Sequence, residues 1–271
     1  MSIQATRYFS LDDVERYNWS FENREHLSVT RSTTARLTLA AAIELASLRH
    51  ADVEMGEDRQ LLSAFSHCPN WCLLNQLNWP YCGHRQRAER DGTTFISLPA
   101  TGADAFWDNC LREFEVRLRT KGFPARLSRS LTGALGEMVD NVWQHSETRV
   151  PGLVGYQIEH RKLSFGVSDL GIGVLDSLRR NLRYRGLVSS MEALETAIIA
   201  GVTRHESGGY GFSTLFESIA ELWGISRLRS GEAAVAFDRR LEQRRRKRYY
   251  LPACRGFRVL VACRLDPART E

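Results

Sequence analysis

The stretch from Pro124 to Asp169 constrains this chain most, because its hydrophobic period changes there from that of a helix to that of strands. Leu127, Leu131, Ala134, Leu135, Met138 and Val142 recur at helical spacing and mark one face of a long helix ending near His145 or Ser146. Val150-Pro151-Gly152 closes that element. Residues 153–159 and 163–169 then alternate as two strands around a tight Arg161-Lys162 turn. A helix with one apolar stripe beside such a hairpin predicts a layered α/β arrangement. Asp169 shares the parity of Leu163, Phe165 and Val167, so it is aimed at the layer between sheet and helices. An isolated charge there is costly, and a ligand donor is one way to partner it. Glu137, Asn141 and His145 step by four and drift only about 40° per step along another face of the helix.

The rest of the chain is read more coarsely. Residues 33–49 and 103–119 predict helices, and Thr93–Leu98 a short strand closed by Pro99. Ser189-Ser190-Met191-Glu192 resembles a capping box opening a helix over 191–200. Gly208-Gly209-Tyr210-Gly211 leads into a helix over 213–222 that Gly224 is expected to end. Residues 225–228 and 233–237 predict a hairpin around Ser230-Gly231, and residues 257–265 a final strand.

With 271 residues, 43% of them apolar and 25% charged, one large or two modest domains are possible. The start of the chain is no secretory signal, and no apolar run approaches the roughly 18 residues of a membrane span. The chain therefore reads as cytoplasmic, with no membrane contact. Its net charge of +5 is concentrated in Arg239–Arg248. That run could grip nucleic-acid phosphates, with Tyr249 and Tyr250 stacking on bases; a solvated loop between strands is the favoured reading. Cys68, Cys72, Cys82 and His84 form a C-x3-C-x9-C-x-H cluster that fits no standard zinc finger or ribbon. Reduced thiols beside Trp71, Trp79 and Tyr81 are the favoured reading there.

Each motif alone has a plain structural explanation, and their order carries the argument. A helix bearing acid and amide precedes a strand-end Asp with two glycines, then a variable segment, a glycine loop, a helix and terminal strands. That order resembles the GHKL superfamily, the ATP-binding fold shared by gyrase, Hsp90, sensor histidine kinases and the MutL repair proteins. Residues 137–141 match its N box and Asp169-Leu170-Gly171-Ile172-Gly173 its first glycine box, while Gly209-Tyr210-Gly211-Phe212-Ser213 is a degenerate second box. The resemblance spans about residues 123–265. It implies a two-layer α/β sandwich over 121–271 of the Bergerat type. The sheet would be mixed and mostly antiparallel, with helices on one face. A mixed α/β region over 1–120 would serve partner binding or dimerisation, a homodimer being one arrangement.

The same resemblance implies roles. Asn141 would ligate Mg²⁺ and Glu137 would act as general base toward the γ-phosphate of ATP. Asp169 would accept the adenine amino hydrogen, with Gly171 and Gly173 letting the backbone approach base and ribose. Gly209 and Gly211 would present N–H groups to phosphate, and Arg204 and His205 in the lid would reach it. His145 falls at a position that is mostly structural in the kinase branch. Two departures stand out: Arg255-Gly256-Phe257 lacks the hydroxyl the family keeps after a late glycine, and Ser213 replaces a glycine. The expectation is a slow ATPase that switches a protein partner. The alternatives are an anti-sigma-like serine/threonine kinase, and a nucleic-acid-binding module with a vestigial nucleotide site.

Overall fold

The computed structural model describes residues 2–3, 8–9, 28–29, 36–50, 68–77, 79, 86–98, 105–199, 222–238 and 246–265. The helices are α1 (Leu39–His50), α2 (Pro69–Gln76), α3 (Ala105–Thr120), α4 (Ala125–His145), α5 (Gly173–Arg179) and α6 (Ser190–Ala197). The strands of the main sheet are β1 (Gln86–Arg90), β2 (Thr93–Leu98), β3 (Gly152–Glu159), β4 (Lys162–Ser168), β5 (Trp223–Ser230), β6 (Ala233–Asp238), β7 (Arg246–Tyr250) and β8 (Phe257–Arg264).

The fold is α/β, built on one eight-stranded sheet in the order β7-β6-β5-β8-β4-β3-β2-β1. Every neighbouring pair in it is antiparallel. Among the described residues, parallel pairing is confined to two-residue bridges, Ser2–Ile3 with Ser28–Val29 and Tyr8–Phe9 with Arg36–Leu37.

The apolar stripe of α4 does what its period predicts. Leu131, Ala134, Leu135, Met138 and Val139 are buried against Val154, Tyr156, Phe165 and Val167 of the sheet. On the same face Phe114 of α3 meets Tyr156 edge-on, with ring centroids 4.9 Å apart. Met191 and Leu194 of α6 extend the layer toward Ala233 and Val235. Among the described residues from 121 onward, the helices α4, α5 and α6 pack on this one face.

The other face is covered by α1 and α2. Ala41, Ala42, Ile43 and Leu45 of α1 are buried with Leu153 and Leu260. Ile43 enters opposite two paired glycines, Gly155 and Gly166, where any side chain would fill its place. Segments on the two sides of residue 120 pack together. β2 pairs with β3 from Thr93↔Gln157 to Leu98↔Gly152, and α3 packs on α4. The cause is the open edge that β3 would otherwise present, which β1 and β2 occupy.

Two local expectations change, at Gly224 and in the basic run. Gly224 lies inside β5, where a Cβ would press against Cβ of Cys263 at 2.5 Å. The helix expected over 213–222 falls outside the described residues, apart from Leu222. Part of the basic run is an edge strand, β7, paired with β6 from Ala233↔Tyr250 to Phe237↔Arg246, rather than a loop. Half of the capping box expected at Ser189 forms: its Oγ accepts the Glu192 N–H at 3.2 Å, while Glu192 Oε2 accepts the N–H of Val188, one residue before the cap, at 2.9 Å.

Candidate functional site

The end of α4 and the loop after β4 are joined by one backbone hydrogen bond, in which Ile172 N–H donates to the Ser146 carbonyl at 2.9 Å. Gly171 makes that closeness possible, because a Cβ there would collide with the Ser146 carbonyl oxygen. Gly173, at φ +76, opens α5 in a left-handed conformation that other residues adopt at a cost. Both glycines of this loop are therefore required by the backbone path itself.

Glu137, Asn141 and His145 are half-buried on α4, on the helix whose last turn meets this loop. Asp169 is 3% exposed. Its N–H donates to the Phe257 carbonyl at 3.0 Å, which ties it to β8. Its Oδ1 accepts the Gly171 N–H at 2.7 Å. Burial pushes its carboxyl up to about 6, against the Gly171 N–H, the Arg258 charge and the Phe257 backbone, which pull it down. When ionised, such a carboxylate only accepts hydrogen bonds.

The late glycine expected near this loop is there. Gly256 runs so close to Asp169 that a Cβ on it would collide with the Asp169 carbonyl oxygen. Phe257 brings no hydroxyl, but Ser230, its paired residue on β5, does. Ser230 Oγ accepts the Val174 N–H at 2.9 Å and donates to the Gly256 carbonyl at 3.1 Å. The sequence gives no hint of this, since pairing Ser230 with Phe257 requires the register between strands distant in the chain.

Arg204, His205, Gly209, Gly211 and Ser213 lie outside the described residues, so the structure bears on the first glycine box and not on the second. Cys82, His84 and residues 239–245 lie outside them as well. Cys68 is buried and Cys72 half-buried at the start of α2. Among the described residues, no group of three or more His, Cys, Asp or Glu side chains is placed to hold a metal ion. No helix among them is long and apolar enough to cross a membrane. Comparison of the chain with family models, curated proteins and solved structures finds no match.

Proposed function

We propose that this chain binds ATP with Mg²⁺ in the manner of the GHKL superfamily. In this reading it is a cytoplasmic slow ATPase that works as a nucleotide-dependent switch on a protein partner. The observation that carries the reading is the junction of the end of α4, the helix of Glu137 and Asn141, with the 169–173 loop that holds the buried Asp169. A buried carboxylate fixed by one backbone N–H suits an amino group that donates and would repel a carbonyl. The donor chemistry also fits the metal, since the Asn141 side-chain oxygen is a hard ligand of the kind Mg²⁺ prefers.

The chain's own residues would divide the work. Asp169 accepts from the base, and the Gly171 N–H fixes its orientation. Asn141 holds the cation, which when bound neutralises charge on the phosphates. Glu137 orients and deprotonates the attacking water. Ser230 pins the start of α5 to β8, so the loop keeps its shape. The experiment is phosphate release from γ-labelled ATP together with calorimetric binding. Glu137→Ala should bind ATP and release no phosphate. Label appearing on a partner protein in cell extract, instead of as free phosphate, would favour the kinase reading.

A second reading has one observation in its favour. Arg246, Lys247 and Arg248 are exposed along the edge strand β7, followed by Tyr250 at 68% exposure. A basic row ending in an exposed ring suits single-stranded nucleic acid. Binding to random RNA or DNA that weakens steeply with salt supports this reading, and no binding at low ionic strength ends it.

A further inference from the structure

The two edges of the sheet treat their charges differently. At the β1 edge the charges are answered within the fold. Arg87 is ion-paired with Glu89 at 2.8 Å and also with Glu113 of α3, and Glu89 is ion-paired with Arg117 of the same helix. Inside the sheet the same holds. Arg229 and Arg258 are paired across β5 and β8; Glu44 of α1 is ion-paired with Arg229 Nη1, and its Oε2 lies 3.6 Å from Arg258 Nε.

The β7 edge carries Arg246, Lys247 and Arg248, with no acid in the strand. Arg248 is ion-paired with Glu195 of α6. Arg246 lies over the Phe237 ring, 5.5 Å from its centroid. Neither Arg246 nor Lys247 has an ion pair among the described residues. β7 is also the last strand in the sheet order and pairs only with β6 among the described residues. Alternate residues of such a strand turn their N–H and C=O groups away from the sheet, where a further strand can pair with them.

A basic edge has a plain role, which is to stop copies of a chain from pairing edge to edge. That guard is selective by charge. A second β7 would set cations opposite cations, whereas a strand bearing carboxylates would be attracted. Single-stranded nucleic acid would use the basic side chains and leave the backbone edge idle. It would also find one ring fewer, because the Arg227 guanidinium already lies 4.5 Å from the centroid of Tyr249. An acidic strand uses both the charge and the edge.

We propose that β7 is the docking edge for an acidic, extended segment of a partner protein, which joins the sheet as a further strand and sets its carboxylates beside Arg246 and Lys247. Backbone pairing supplies affinity, and the basic row chooses among strands. The inference names the chemistry of a partner and stands apart from the nucleotide site, so it does not require that ATP binds.

The test titrates the full-length chain into a short fluorescein-labelled peptide that alternates Glu and Val, read by anisotropy. Saturable binding is expected, with slower amide hydrogen exchange over Arg246–Tyr250. N-methylating the peptide's backbone amides keeps its charge but removes its donors, and should weaken binding by about tenfold or more. Arg246→Glu together with Lys247→Glu, both exposed positions, should weaken it by a similar factor. A peptide alternating Lys and Val should not bind. No binding of the acidic peptide, full binding of its methylated form, or full binding to the double variant overturns the proposal. An oligothymidylate that binds more tightly than the peptide and slows exchange over the same residues also overturns it, and assigns the edge to nucleic acid.

Discussion

The two faces of the sheet are buried by different chemistry. Under α3, α4 and α6 the layer is apolar, with Phe114, Leu131, Met138, Tyr156 and Phe165 packed together. Under α1 the same sheet carries Glu44, Arg229 and Arg258 within an otherwise apolar cluster. Apolar packing tolerates small losses, whereas a buried ion cluster is sensitive to the loss of a single member. The first face supplies stability to the fold. The second ties a particular helix to a particular place, next to the loop that bears Asp169.

Removing charge or bulk from each face should expose that difference. The largest effect is expected for Glu44→Ala, which leaves paired guanidiniums buried without their carboxylate; a loss of about 3–5 kcal/mol should appear in urea unfolding. Phe114→Ala on the apolar face should cost somewhat less, about 3 kcal/mol, through a cavity. The salt and pH responses separate them: only the Glu44 variant should change how stability depends on pH.

The two buried carboxylates also carry opposite signs of linkage. Burial would raise Glu44, yet Arg229, Arg258 and Arg227 hold it below its ordinary value. Its contribution is present above the unfolded value and is lost as pH falls through the lower folded one. Asp169 is held above its ordinary value, at about 6. Its folded form is favoured when protonated, so its burden grows as pH rises from the ordinary carboxylate range toward 6. Asp169→Asn should therefore stabilise the nucleotide-free chain at pH 7, on the order of 3 kcal/mol, with the difference vanishing near pH 4. No gain at pH 7 would mean that Asp169 is not the strained member of the pair. The smallest effect is expected for Ser230→Ala, about 1 kcal/mol, read as a small fall in thermal stability.

The apolar face was legible in the sequence because periodicity is a local signal. Leu127 to Val142, Phe106 to Leu118 and the alternation in β3, β4 and β8 lie where the patterns predict. Asp169, Gly171 and Gly173 lie together for a similar reason, falling within five residues of one another. The charged face was not legible. Arg227, Arg229 and Arg258 alternate with apolar residues as solvent-facing positions of a half-buried strand would, and only the docking of α1 turns that face inward. Joining residues 86–98 to the sheet, and pairing Ser230 with Phe257, likewise depend on contacts between segments far apart in the chain. The short helix α5 offers too few turns to show a period.

The most direct test of the central claim is calorimetric titration of MgATP into the wild-type chain and into Asp169→Asn at pH 7.5. The account predicts saturable binding to wild type and none to a folded Asn variant. Equal affinity in the two, or no binding to wild type, would contradict it.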